Sequence, residues 1–128
     1  MCHRSLTLSL LSEIFAVCRF DSRALIPSWV TNGDSFSLTR TPDELSIVCR
    51  QNDVPNNIHC EPDWRCLKIQ GPLDFSLTGI LAALATPLAN AVISIFAIST
   101  FDTDYLMVKE NKLKQAIDVL RQAGHQVL

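Results

Sequence analysis

Residues 91–108 read AVISIFAI-STFDT-DYLMV, and the reading of this stretch decides the fold. The first block is an apolar run, suited to a strand buried on both sides or central in a sheet. The middle block gathers the Ser, Thr and Asp of a turn, and the last block runs back as the paired strand. Upstream, Ile80, Leu81, Leu84 and Leu88 recur at helical spacing over Ile80–Asn90. Pro87 inside that helix is expected to kink it or start a new turn, because it has no N–H for the i−4 carbonyl. Downstream, Leu113, Ala116, Ile117 and Leu120 form the apolar face of a helix over 109–123. Lys112, Lys114, Asp118 and Arg121 are left for solvent, and Gly124 stands where a left-handed C-cap is wanted. Residues 65–70 alternate as a strand, while Val127 and Leu128 supply only the stub of a last one. Residues 65–128 thus run β-α-β-β-α-β, the α+β, ferredoxin-like order with two helices on one face of an antiparallel sheet.

The N-terminal half reads differently. Residues 6–10 and 14–20 are two strand-like runs, and Asn32-Gly33-Asp34 is a turn. Residues 35–40 and Leu45–Arg50 form a hairpin across Thr41-Pro42-Asp43-Glu44. Residues 51–63 hold two Pro, three Asn and two Asp, which marks a loop and the domain boundary. This sets a reduced N-terminal half at 1–62, without a clear first helix, and a complete unit at 63–128. Thr41-Pro42-Asp43 leads into Leu45-Ser46-Ile47-Val48 much as Thr100-Phe101-Asp102 leads into Tyr105-Leu106-Met107-Val108. The match needs one residue of slack and hints at an internal duplication.

Composition excludes several classes. The 128 residues are 48% apolar and 19% charged, with eleven basic against thirteen acidic side chains and no basic cluster, so no nucleic-acid partner is expected. Five Cys (2, 18, 49, 60 and 66) is an odd count, and Cys60 and Cys66 are too far apart for the paired spacing of a zinc site. His59 beside Cys60 completes no ligand set, so no metal and no cofactor are expected, in a reduced, cytoplasmic chain. The apolar start lacks a cleavage site, and the longest apolar stretch, 79–96, is broken by Pro87 and Asn90, so no membrane span is expected. Gly-rich phosphate loops and the G-x-S-x-G nucleophile motif are missing, and His3, His59 and His125 stand beside no predicted nucleophile. Catalysis is not expected.

Two segments suggest binding. Asp102 and Asp104, two apart in extended chain, point to one side and suit a cation or an ammonium, although the same pair suits a solvated turn. The 71–79 connection opens a helix, where Ser76 or Thr78 can cap and the N–H groups of 77–80 can meet an anion. An ordinary cap explains that segment equally well. Together, one segment offers donors for a carboxylate and the other acceptors for an ammonium, the two groups of a free amino acid. Phe101 and Tyr105 could wall such a pocket or simply pack, while Trp29 and Trp64 read as packing residues.

Gly71-Pro72-Leu73-Asp74-Phe75-Ser76-Leu77-Thr78-Gly79-Ile80-Leu81, followed by residues 93–105, resembles the ACT domain. The branch is similar to aspartokinase regulatory domains and cytosolic arginine sensors, and residues 41–49 resemble the first half of small bacterial proteins with two ACT-like units. The resemblance implies a regulatory module that binds a small-molecule amino acid between ACT units. It nominates Asp74, Phe75, Ser76, Leu77, Gly79 and Ile80 from the loop, and Thr100, Phe101, Asp102 and Asp104 from the turn. It also implies allosteric action on a protein partner, and exposed sheet edges favour a homodimer. The alternative is an interaction module of the same fold that no longer binds a ligand.

Overall fold

In the computed structural model, which describes residues 5–34, 37–71 and 78–128, Thr7–Phe20 form one strand, β1, in place of the two expected runs. The further strands are β2 (Ser37–Arg40), β3 (Leu45–Arg50), β4 (Cys60–Ile69), β5 (Phe96–Ser99), β6 (Asp104–Lys109) and β7 (Gln126–Val127). Two α-helices, α1 (Ile80–Asn90) and α2 (Leu113–Gln122), fall near their expected places, α2 being preceded by a 3-10 turn over Glu110–Lys112.

The chain divides into two compact units: Glu13–Trp64, and Met1–Ser12 together with Arg65–Leu128. The cut expected after residue 62 lies close to the later boundary, but the first twelve residues go with the C-terminal segment because β1 contributes to both units. In the C-terminal unit the strand order is β7-β1-β4-β6-β5. Thr7 and Leu8 pair in parallel with Gln126 and Val127, and Gln70 N–H donates to the Thr7 carbonyl at 2.8 Å. The start of β1 therefore lies between β7 and β4, which completes the edge that the short last strand leaves open. Leu8, Leu67, Ile69, Leu84, Leu88, Leu106 and Leu120 are fully buried in this unit's core.

The apolar run 91–98 is not the central strand expected. Ala91 and Val92 finish α1, Ile93 plugs the core, and only Phe96–Ser99 form β5, the last strand in the order, paired with β6 alone. Val92 N–H donates to the Ala89 carbonyl (2.9 Å) and Ile93 N–H to the Leu88 carbonyl (2.9 Å), with Val92 at φ 59. This is the Schellman arrangement, with a β-branched residue where glycine is usual. The second helix ends the same way: Gly124 N–H donates to Arg121 and His125 N–H to Leu120, with Gly124 at φ 98.

In the N-terminal unit β1 pairs with β3, and β3 with β2, all antiparallel. Two 3-10 turns, Ser28–Asn32 and Gln51–Asp53, stand where the split βαβ order would have helices. Residues 51–63, expected as a loop throughout, give up Cys60–Asp63 to β4. Asp63 joins the strand at φ 67, held by Gln51, whose Nε2 donates to its Oδ1 at 3.0 Å and whose Oε1 accepts from its N–H. Ala16, Cys18, Val30, Leu45, Ile47 and Cys49 form a separate small core.

The internal duplication is sharper in structure than in sequence. Ser37 and Phe96, Leu45 and Asp104, and Gln51 and Glu110 begin matching elements, each pair 59 positions apart, so no slack is needed. The two hairpin turns close alike: Thr41 N–H donates to the Glu44 carbonyl and Thr100 N–H to the Thr103 carbonyl, both at 2.9 Å.

Candidate functional site

Asp74, Phe75, Ser76 and Leu77 lie outside the described residues. The described end of that connection reaches α1 through Gly79, whose φ of 75 turns the chain into the helix. The N-cap is thus Gly79, not the described Thr78 expected to cap, and it has no side chain to satisfy the helix end. Ala83 N–H is the first to find an intrahelical acceptor, the Gly79 carbonyl at 2.9 Å, so the N–H groups of Ile80, Leu81 and Ala82 have none within the helix. Ile80 sends its side chain into the core, which leaves only its backbone for a ligand.

The β5–β6 turn is tightly built. Thr100 Oγ1 donates to the Thr103 carbonyl at 2.9 Å and accepts from Thr103 N–H at 3.3 Å, so the Thr100 side chain closes the turn. Thr103, 4% exposed, donates through Oγ1 to the Ile69 carbonyl at 2.7 Å. Ile69 ends β4, just before the connection to α1. One hydrogen bond therefore ties the turn carrying Asp102 and Asp104 to the strand end from which the 71–79 connection departs. Asp102 is exposed and Asp104 half-buried, and among the described residues no hydrogen bond or ion pair holds either carboxylate. Phe101 is 78% exposed.

Sequence reasoning missed two residues. Thr103 was visible only as the spacer between two aspartates. His125 read as a terminal histidine, yet it is 6% exposed and fully used. Its Nδ1 accepts from Leu6 N–H at 3.1 Å, and its Nε2 lies 3.1 Å from the Ala83 carbonyl. Ala83 is four residues before Pro87, so the imidazole takes the carbonyl that the proline cannot serve. The two contacts fix the neutral tautomer with its proton on Nε2. Among the described residues no cluster of His, Cys, Asp and Glu could hold a metal ion, and no helix is long and apolar enough to cross a membrane.

A strand edge, a closed hairpin turn and a helix entered through a left-handed glycine, in β-α-β-β-α-β order, define an ACT unit. A family model described as the ACT domain matches residues 59–122, half of the chain, and a second, describing an N-terminal domain, matches residues 13–57. The chain belongs to the ACT domain family. It is 47% identical over 64 residues to the human cytosolic arginine sensor for mTORC1 subunit 1, an alignment that covers 48% of this chain and 20% of the sensor. The chain thus spans about a fifth of the length of that relative. A solved Agrobacterium tumefaciens protein superposes with a TM-score of 0.93 at 40% identity, over 98% of this chain and 94% of the other. The regulatory subunit of aspartate kinase from Thermus thermophilus superposes at 0.65 over 94% of this chain and 99% of its own, and at 10% identity it shares the fold.

Proposed function

We propose that this chain is a non-catalytic, cytoplasmic regulatory protein that binds a free amino acid and passes the signal allosterically to a protein partner. The carrying observation is the Thr103–Ile69 hydrogen bond, which brings the acidic turn to the same end of the unit as the approach to α1. The N–H groups at the start of α1 take the ligand carboxylate. Asp104, with Asp102, takes its ammonium or a basic side chain. The likeness to an arginine sensor over the ACT segment supports an amino acid as ligand. In the N-terminal unit Asp43 matches Asp102, but the counterpart of Asp104 is Leu45, 1% exposed, so that unit lacks the second carboxylate. A second copy of the chain, in a homodimer, supplies the ACT unit that completes the site.

A thermal-shift panel of the twenty amino acids tests this. A ligand at 100 times its Kd stabilises by about 2.7 kcal/mol, a rise of several degrees for a chain of this size. Asp104→Ala is expected to abolish the rise with little change in the unliganded Tm, and Thr103→Val to reduce it. A panel with no response would overturn the reading and favour the interaction module, for which the exposed Phe101 is the first surface to test.

A further inference from the structure

Three thiols converge in the N-terminal unit. Cys18 on β1 and Cys49 on β3 are 1% and 0% exposed, and Cys60, which opens β4, packs half-buried against the same cluster. The antiparallel register sets Cys49 opposite Ala16, one step along the same face from Cys18. With β4 on the other side of β1, Cys18 stands between its two neighbours, near enough for the Cys49 and Cys60 side chains both to act on its thiol. The cluster does not form a metal-binding group. None of these thiols belongs to the ligand site proposed above.

We propose that Cys60 and Cys18 form a peroxide-responsive thiol pair, Cys60 meeting the oxidant and Cys18 resolving it. A hydroperoxide transfers one oxygen to the Cys60 sulfur: the O–O bond breaks, the sulfur is oxidised to a sulfenic acid, and the peroxide is reduced to water or an alcohol. The Cys18 sulfur then attacks that of Cys60. The S–O bond breaks, the hydroxyl leaves as water with the Cys18 proton, and a disulfide joins β1 to β4. Cys66 is the internal control, because it is 1% exposed and lies outside the cluster. Within the cluster the Cys18–Cys49 pair splits, Cys49 pushing the Cys18 thiol up and Cys18 drawing the Cys49 thiol down, so any thiolate character there sits on Cys49.

The test exposes the reduced full-length chain, carrying Cys2→Ser to remove the thiol outside the described residues, to hydrogen peroxide, followed by non-reducing peptide mapping. The expected result is an intrachain Cys18–Cys60 crosslink that forms before Cys66 is modified, raises Tm and is reversed by dithiothreitol. Cys60→Ser is expected to abolish the crosslink. In Cys18→Ala a dimedone adduct is expected to accumulate on Cys60. Should that buried variant not fold, brief peroxide treatment with dimedone in the Cys2→Ser chain reads the same intermediate. Oxidation of Cys66 at an equal rate, sulfinic acid on Cys60 beside an intact Cys18 thiol, or crosslinks only between chains would each overturn the proposal.

Discussion

Replacing Val92 with glycine is expected to make the protein more stable, although it deletes an apolar side chain. Val92 stands at the left-handed position closing α1, with φ 59, and is 86% exposed. An L-residue there costs about 1–2 kcal/mol from the clash of Cβ with the following carbonyl. Glycine removes that cost but gives back about 0.5–1 kcal/mol through its greater freedom in the unfolded chain. Little burial is lost at so exposed a site, so the net gain is about 0.5–1 kcal/mol, or about 2–4 °C in Tm. The second helix supplies the mirror experiment. A Cβ added at Gly124 meets no atom within 4 Å, so Gly124→Val reports the backbone cost alone and is expected to lower stability by about 1 kcal/mol. Val92→Ala keeps the Cβ and is expected to change little. Thermal and urea unfolding of the three variants give the answer. If Val92→Gly proves neutral or destabilising while Gly124→Val shows its expected cost, the account of α1's end is wrong.

His125→Ala is expected to cost about 2–4 kcal/mol in urea unfolding, because it strands the Leu6 N–H and the Ala83 carbonyl, two groups worth about 1–3 kcal/mol each when unsatisfied. In a Pro87→Ala background the returned backbone N–H can serve Ala83, and the same histidine substitution should cost about 1 kcal/mol less. Stability is also expected to fall in alkali. The Cys66 thiol is raised from 9.0 to about 12 in the folded state, so the unfolded chain loses this proton first as pH rises above 9. That contributes a loss of about 1.4 kcal/mol by pH 10. Cys66→Ala lowers stability at neutral pH by opening a cavity, but should flatten the slope between pH 8 and 10.

Where one residue does one job, its role was legible in the sequence. The spacing of Leu113, Ala116, Ile117 and Leu120, and Gly124 after them, located α2 and its end because helix period and cap chemistry are local. The run 91–98 misled because its apolar residues divide among ending a helix, plugging a core and forming an edge strand, and hydrophobicity alone does not separate these roles. Pro62 and Asp63 hid the start of β4, since the side chain of Gln51, distant in sequence, makes the left-handed Asp63 tolerable. His125 was invisible for the same reason: its partners are Leu6 and Ala83, brought to it only by the fold. At the candidate site, the acidic spacing of Asp102 and Asp104 could be read directly. The bond from Thr103 to Ile69 could not, because it joins two strands whose neighbourhood is set by sheet order.

The long first strand has a consequence for how the protein can be taken apart. The segment matched by the ACT family model begins at residue 59, yet the unit it belongs to takes a strand from before residue 13. A fragment cut at the domain boundary would leave the outer side of β4 bare and β7 with nothing to pair against. The same holds for transplantation: grafted onto a foreign enzyme as a regulatory cassette, residues 65–128 would need their leading dozen residues supplied in trans or spliced in. The N-terminal residues are therefore an inseparable component of the C-terminal unit, and the two units cannot be exchanged as independent modules by a single cut in the gene.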